Sequence, residues 1–105
     1  MWFFCKRTHL KEPGQRKATL DEHLVWMRRQ HEAGCIVMSG PSPDLRVGMY
    51  LIRAESAAEA DRIAASDPYT EAADCTYELT QWNIRQIMGT GPFTAAELGL
   101  ANRGL

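Results

Sequence analysis

His23 is the residue whose type and position best suit acid–base chemistry. It lies in residues 19–33, where Leu20, Leu24 and Met27 recur at helical spacing. At about 100° per residue, His23 falls roughly 60° from Leu20, at the edge of this apolar stripe. Histidine is the side chain that ordinarily titrates nearest neutral pH, so this position suits proton transfer. A partly packed helix residue without a chemical role is the alternative interpretation.

Asp67 is the second candidate, and it directly precedes Pro68. A residue before proline avoids the helical region, so this pair ends the helix before it. In a structural role, the carboxylate caps nearby backbone amides. In a catalytic role, it approaches His23 across the face of a sheet shared by two helices. There it holds the imidazole in one tautomer and stabilises its charged form.

Substrate contacts are expected from a tripeptide and an aromatic residue. Ser39, Gly40 and Pro41 follow a short apolar segment. They form either a plain turn or an open backbone segment that contacts a small substrate. Trp82, in the last predicted strand, either packs in an interface or lines a pocket for a ring compound.

The sequence contains no recognisable metal or nucleotide motif. HExxH and paired CxxC are absent, and the three histidines are too scattered along the chain to predict a metal site. His31 falls near the middle of the apolar stripe and is interpreted as a half-buried structural residue. The cysteines at positions 5, 35 and 75 fit no CxxC spacing and lie in apolar or strand-like surroundings. We expect reduced, packed thiols and no cofactor.

Length and composition predict one globular domain over residues 1–105. The chain is 45% hydrophobic and 24% charged, both near the average for globular proteins. Its net charge of −1 provides no basic field to attract nucleic acid. The apolar run at residues 1–5 is too short to cross a bilayer and lacks the pattern of a signal peptide, so a cytoplasmic protein without membrane association is expected.

The first half of the chain predicts three strands and one helix. An aromatic strand covers residues 1–9, and a helix covers residues 19–33. A capping box of Thr19 and Glu22 opens this helix, and Gly34 ends it. Residues 35–38 and 47–54 form a strand hairpin, separated by turn-forming residues 39–44.

The second half predicts a helix, a strand and a tail. Ser56 and Glu59 form a capping box that opens an alanine-rich helix reaching about residue 66. Residues 75–87 alternate well enough for a fourth strand. A further box of Thr94 and Glu97 opens a short C-terminal helix, with Leu98 and Leu100 as apolar anchors.

This order, βαββαβ, is that of an α+β ferredoxin-like domain with an antiparallel sheet and both helices on one face. The core is expected over residues 1–88, with an extension over residues 89–105. A chain of this size buries a thin core, and the uncovered sheet face would expose apolar side chains. We therefore expect a homodimer that packs sheet on sheet.

Three segments of the sequence together resemble the YciI-like (YCII-related) family. The first runs from His23-Leu24-Val25-Trp26-Met27 to Glu32-Ala33-Gly34, the second is Met38-Ser39-Gly40-Pro41, and the third is Ser56-Ala57-Ala58-Glu59-Ala60 followed by Asp67-Pro68-Tyr69. Trp82 stands where the family often has a tryptophan. The resemblance covers residues 1 to about 88 and implies a dimeric α+β barrel with a His–Asp pair. The pair carries over to His23 and Asp67.

The family pattern fixes no single reaction. The aromatic start, the length and the tail after Gly91 resemble members that eliminate HCl from a chlorinated hydroxyhydroquinone. That resemblance implies a lyase that uses His23 and Asp67 for acid–base catalysis and needs no cofactor. An isomerase of a small lactone or dienone is an open alternative, as is a non-enzymatic domain that binds a small ligand.

Overall fold

The computed structural model describes residues 1–91, 93–95 and 98–99. The elements, in chain order, are β1 (Trp2–His9), a 3-10 turn (Pro13–Gln15), α1 (Lys17–Glu32), β2 (Ile36–Pro41), β3 (Val47–Arg53), α2 (Ala57–Ala65), α3 (Pro68–Glu71) and β4 (Cys75–Gln81). The α+β ferredoxin-like order predicted from the sequence is confirmed. The short helix α3 is an addition that the prediction lacked.

The four strands form one antiparallel sheet in the order β2-β3-β1-β4. Along β1, alternate side chains point to the face on which the helices pack, and Phe3, Cys5 and Arg7 are all buried there. Cys5 pairs with Tyr50 of β3 on one side and with Leu79 of β4 on the other. A charged residue, Arg7, therefore occupies a core position in the central strand.

The helices bury small or flexible side chains against this face. Ala60 and Ala64 of α2 are fully buried, and α1 contributes Met27. Two other apolar residues of α1 remain accessible, since Leu20 is 42% exposed and Leu24 is 55% exposed. Both line a cavity beside the core, so the apolar face of α1 only partly serves packing.

The start of α1 differs from the prediction. The helix begins at Lys17, and its N-cap residue is Arg16, so the capping box of Thr19 and Glu22 does not form. Thr19 Oγ1 instead donates a hydrogen bond to Asp74 Oδ2 at 3.2 Å, a partner 55 residues away that local sequence does not reveal. The predicted stop is confirmed: Gly34 has φ = 77°, in the left-handed region.

The start of α2 follows the prediction more closely. Ser56 Oγ accepts a hydrogen bond from the backbone N–H of Glu59 at 3.1 Å. The Glu59 carboxylate accepts from the backbone N–H of Glu55 at 3.0 Å, one residue before the position that a capping box uses. The N-terminus of α2 therefore has a side-chain cap on one of its free amides, that of Glu59.

Two strand boundaries also differ from the sequence prediction. Strand β2 continues to Pro41, so Ser39, Gly40 and Pro41 belong to a strand rather than to a turn. A proline is tolerated there because β2 is an edge strand. Strand β4 ends at Gln81 rather than at residue 87. In the predicted C-terminal helix, Glu97 and Leu100 lie outside the described residues.

Candidate active site

The structure places His23 and Asp67 in direct contact. His23 Nδ1 lies 3.0 Å from both carboxylate oxygens of Asp67. The histidine comes from the second turn of α1, and the aspartate comes from the junction between α2 and α3. Asp67 also caps α3, because its Oδ1 accepts a hydrogen bond from the Tyr69 backbone N–H at 2.8 Å. The capping role and the contact with histidine, which the sequence offered as alternatives, therefore occur together.

Arg7 completes this group from the central strand. Its Nη1 lies 2.7 Å from Asp67 Oδ2, and both side chains are buried, at 1% and 0% exposure. Arg7 also donates from Nη2 to the Tyr50 hydroxyl and from Nε to Cys75 Sγ. With its oxygens held by three partners, the Asp67 carboxylate is fixed in position.

The contact with Asp67 determines how His23 can act. An imidazole that donates its Nδ1 proton to a carboxylate keeps Nε2 as the acceptor. The His23 side chain is 16% exposed and lines the cavity beside α1. Its ring lies 4.6 Å from the Tyr69 ring and is stacked 6.0 Å from Trp26, measured between centroids. The contact therefore orients the imidazole at the cavity wall and leaves Nε2 as the nitrogen that can accept a proton.

The cavity has a volume of about 410 Å³, within the usual range for small-ligand pockets. It lies between α1, the ends of β1 and β2, and the start of β3. Its walls are formed by Arg7, His9, Pro13, Arg16, Leu20, His23, Leu24, Met27, Ser39, Gly40, Pro41, Leu45, Gly48, Met49, Tyr50 and Tyr69. The walls therefore combine aliphatic and aromatic side chains with the cationic groups of Arg7 and Arg16.

The residues predicted to contact substrate fall into two places. Ser39, Gly40 and Pro41 line this cavity from strand β2. Trp82 does not line it. It follows β4 and lines a second cavity with Trp2, and its ring contacts Phe4 edge-on at 6.5 Å. Phe4 points away from the face that holds Phe3 and Cys5, so Trp82 lies on the other side of the sheet.

His31 also differs from its predicted environment. The sequence indicated a half-buried position, but the residue is exposed near the end of α1. Its Nε2 lies 2.9 Å from Ser39 Oγ. Because α1 lies against the sheet through Met27, the following turn reaches the edge strand β2 rather than the core. His31 thus contacts a wall residue of the cavity from outside.

Three cationic or titratable residues of the site were missed by sequence reasoning. Arg7 had a detectable signal, since it alternates with Phe3 and Cys5 and so falls on the inward face of β1. His9 follows it on the same face two residues later. Arg16, 6% exposed, stands just before α1 and gives no sequence signal for burial.

Burial shapes the protonation of several groups around the cavity. Burial, reinforced by the charges of Arg16 and Arg7, lowers the pKa of His9 to about 4. Burial raises the pKa of the Tyr50 and Tyr69 hydroxyls, so both remain protonated near neutral pH. His9 therefore contributes a neutral imidazole.

The thiols next to this site are held in their neutral form. Burial raises the pKa of Cys5 and of Cys75, and the described cysteines form no disulfide, as expected for packed thiols. In the part of the chain that the structure describes, no three His, Cys, Asp or Glu residues are grouped to hold a metal ion. None of the described helices is long and apolar enough to cross a membrane.

The fold and the site define a ferredoxin-like α+β domain with a buried His–Asp contact at the wall of a cavity. The chain belongs to the YCII-related domain family, whose model matches residues 1–83. A comparison with curated proteins finds no match.

A solved structure of the same fold has a described activity. The chain is similar to the 5-chloro-2-hydroxyhydroquinone dehydrochlorinase (TftG) of Burkholderia phenoliruptrix AC1100, solved in complex with 2,5-dihydroxybenzoquinone. The TM-score is 0.66 at 22% sequence identity, over 79% of this chain and 94% of that chain. At this identity the similarity establishes the fold alone.

Proposed function

We propose that this protein is a lyase that eliminates HCl from a chlorinated hydroxyhydroquinone, with His23 as the proton-transferring residue and Asp67 as its partner. The proposal is supported by the contact between His23 Nδ1 and the Asp67 carboxylate at 3.0 Å, on the wall of a cavity of ligand size. The choice of reaction class is an analogy with a dehydrochlorinase of the same fold.

The reaction needs three proton transfers and no external oxidant. In a 5-chloro-2-hydroxyhydroquinone, loss of the proton from the hydroxyl next to the chlorinated carbon, with protonation of that carbon, gives a ketone and a saturated C–Cl centre. Loss of the proton from the hydroxyl para to that ketone then drives electrons through the ring and expels chloride. The products are hydroxybenzoquinone and one equivalent of HCl. The ring is oxidised as the C–Cl bond is reduced to chloride, so the step balances without a cofactor.

Each protein group has a distinct part in this scheme. His23 Nε2 accepts a phenolic proton and delivers a proton to the carbon that bears chlorine. Asp67 stabilises the imidazolium that forms between these transfers. Ser39, Gly40 and Pro41, which also line the cavity, would contact the ring and its oxygens. An oriented general base contributes about 10²–10⁴-fold in rate.

The test is anaerobic release of chloride from 5-chloro-2-hydroxyhydroquinone by the purified protein. Anaerobic conditions matter because such compounds oxidise in air without an enzyme. We expect release well above the buffer rate and a loss of at least about 10²-fold in His23→Ala. Arg29→Ala is the control, since it removes an exposed side chain from the same helix that does not line the cavity.

Two results would contradict the proposal. Release no faster than in buffer removes the lyase and directs attention to lactone or dienone isomerisation, or to ligand binding without chemistry. Full activity in a folded His23→Ala variant removes the role of the histidine. Equal losses in His23→Ala and Arg29→Ala would contradict a specific role as well.

A further inference from the structure

Arg16 is a buried cation whose charge has no protein counterpart among the described residues. Its side chain is 6% exposed, and its Nη2 donates to the backbone oxygen of Leu45 at 2.9 Å. Its Nε is buried without a hydrogen-bond partner, and it takes part in none of the ion pairs found in the described part of the chain. A buried guanidinium without a carboxylate is unfavourable, so an anion that reached it would be bound.

The position of Arg16 puts this charge at the cavity rather than elsewhere in the core. Arg16 lines the cavity, and its guanidinium carbon lies 5.9 Å from the centre of the Tyr69 ring. The same ring contacts His23 at 4.6 Å and His9 at 4.7 Å. A ligand beside Tyr69 would therefore lie near both the guanidinium of Arg16 and the imidazole of His23.

The other charges around the cavity do not neutralise Arg16. The charge of Arg7 is matched by Asp67, which also contacts His23. The next carboxylate, Asp74, is paired with Lys11, accepts from Thr19 and is not part of the cavity wall. His9 is neutral, and its Nδ1 is buried without a partner. The wall thus carries one uncompensated positive charge.

We propose that the cavity selects ring compounds that carry a negative charge, and that Arg16 binds their anionic oxygen. This inference deepens the proposed function and rests on it for the substrate, a hydroxylated ring that becomes a phenolate in the cavity. The phenolate forms when His23 accepts the first of the two hydroxyl protons, so Arg16 would hold the anionic oxygen while His23 delivers that proton to the carbon that bears chlorine.

The experiment compares two ring compounds of similar size by anaerobic titration calorimetry at neutral pH. The charged probe is 2,5-dihydroxybenzoquinone, whose acidic hydroxyls are ionised there, and the neutral probe is hydroquinone. We expect the wild-type protein to bind the charged ring at least about tenfold more tightly. In Arg16→Gln the affinity for the charged ring should fall at least about tenfold, whereas that for hydroquinone changes by less than about twofold.

Two further variants make the result specific. Arg46→Gln changes the net charge equally but lies in the exposed loop before β3, paired with Glu12, and should bind like wild type. Arg16→Lys keeps the charge without the planar fork and should recover part of the lost affinity. Circular dichroism verifies that each variant is folded.

The outcomes separate this inference from the lyase reaction. Equal affinity of the wild-type protein for both rings overturns the anion site even if Arg16→Gln does not fold. An equal loss in Arg16→Gln and Arg46→Gln overturns it as well. Selective binding of the charged ring without chloride release would support the anion site and remove the lyase. Chloride release by the wild-type protein, with unchanged binding of the charged ring in Arg16→Gln, would support the lyase and overturn the anion site.

Discussion

Asp67 is held by partners from three elements: Arg7 of β1, His23 of α1 and the Tyr69 amide of α3. A carboxylate that is 0% exposed would be strongly unfavourable without such partners. The ion pair with Arg7 balances the charge of the Asp67 carboxylate, and the Tyr69 amide fixes its position. The carboxylate in turn orients the His23 ring. The residue therefore has a structural and a proposed chemical role that one substitution affects together.

The first prediction at this scale concerns Asp67→Asn. The change keeps the shape of the side chain but leaves the Arg7 guanidinium buried without its ion partner. Removal of one member of a buried pair typically costs about 3–5 kcal/mol of unfolding free energy. Urea denaturation should show a loss of this size. Glu32→Gln, which breaks the exposed pair with Arg28, is the control and should change stability little. Similar small losses in both variants would contradict the importance of the buried pair.

The second prediction concerns the pH dependence of stability through His9. Its pKa of about 4 in the folded protein lies below the ordinary value near 6.5. Between these values the unfolded chain binds a proton that the folded protein does not. The stability that the folded protein gains from a neutral His9 is therefore fully present above pH of about 6.5. It is lost as the pH falls towards about 4.

His9→Gln tests this sign, because it removes the titrating group. Thermal unfolding followed from pH 7 to pH 4 should show a shallower loss of stability in the variant than in wild type. His31→Gln, at an exposed histidine, is the control. An unchanged slope in His9→Gln would contradict the perturbed titration of His9.

At the scale of elements, the apolar face of α1 both packs against the core and lines the cavity. Met27 packs into the core, whereas Leu20 and Leu24 face the cavity. The helix that carries His23 therefore supplies both the anchor that fixes the histidine and the apolar wall beside it. The position of His23 near the start of the helix places its ring next to the junction of α2 and α3.

The cap of α2 gives the prediction that belongs to this scale. Ser56→Ala removes the acceptor for the Glu59 amide and should lower the unfolding free energy by about 1 kcal/mol. Ser56→Gly should lower the unfolding free energy by only a few tenths of a kcal/mol, since glycine is tolerated at an N-cap. Chemical denaturation of both variants provides the comparison. A larger loss in the glycine variant would show that the hydrogen bond is not the source of the effect.

At the scale of the molecule, the two faces of the sheet differ. The buried cluster joins the helices to the face of Phe3, Cys5 and Ile52. On the opposite face lie Phe4, Leu51 and Met38, and Met38 is 62% exposed. The homodimer predicted from the sequence stays a prediction, and this second face is where it would form.

Light scattering tests the dimer directly. We expect a mass of twice the 11.8 kDa of one chain. Met38→Lys should shift the mass towards that of one chain, because it places a charge in the proposed contact. Val25→Lys, at an exposed apolar position on α1, is the control and should leave the dimer intact. A monomer in the wild-type protein would remove the predicted assembly.

Local signals predicted the order of elements well, since they depend on neighbours along the chain. Gly34 ended α1 and Ser56 capped α2 because both effects act within one helical turn. Thr19 failed as a cap because the helix begins two residues earlier, at Lys17, and the Thr19 hydroxyl donates to the distant Asp74. Pro41 was read as part of a turn because the sequence does not show that β2 is an edge strand.

The sequence by itself determined the strand and helix order and, through the family resemblance, the candidates His23 and Asp67. Only the tertiary structure brought Arg7 and Asp67 together across 60 positions of the chain, and only it showed Arg16 and His9 on one cavity wall. It also separated Trp82 from that cavity. The physical reason is that hydrogen bonds and burial at the site depend on how α1 and the α2–α3 junction pack on the sheet. No short segment of sequence contains that information.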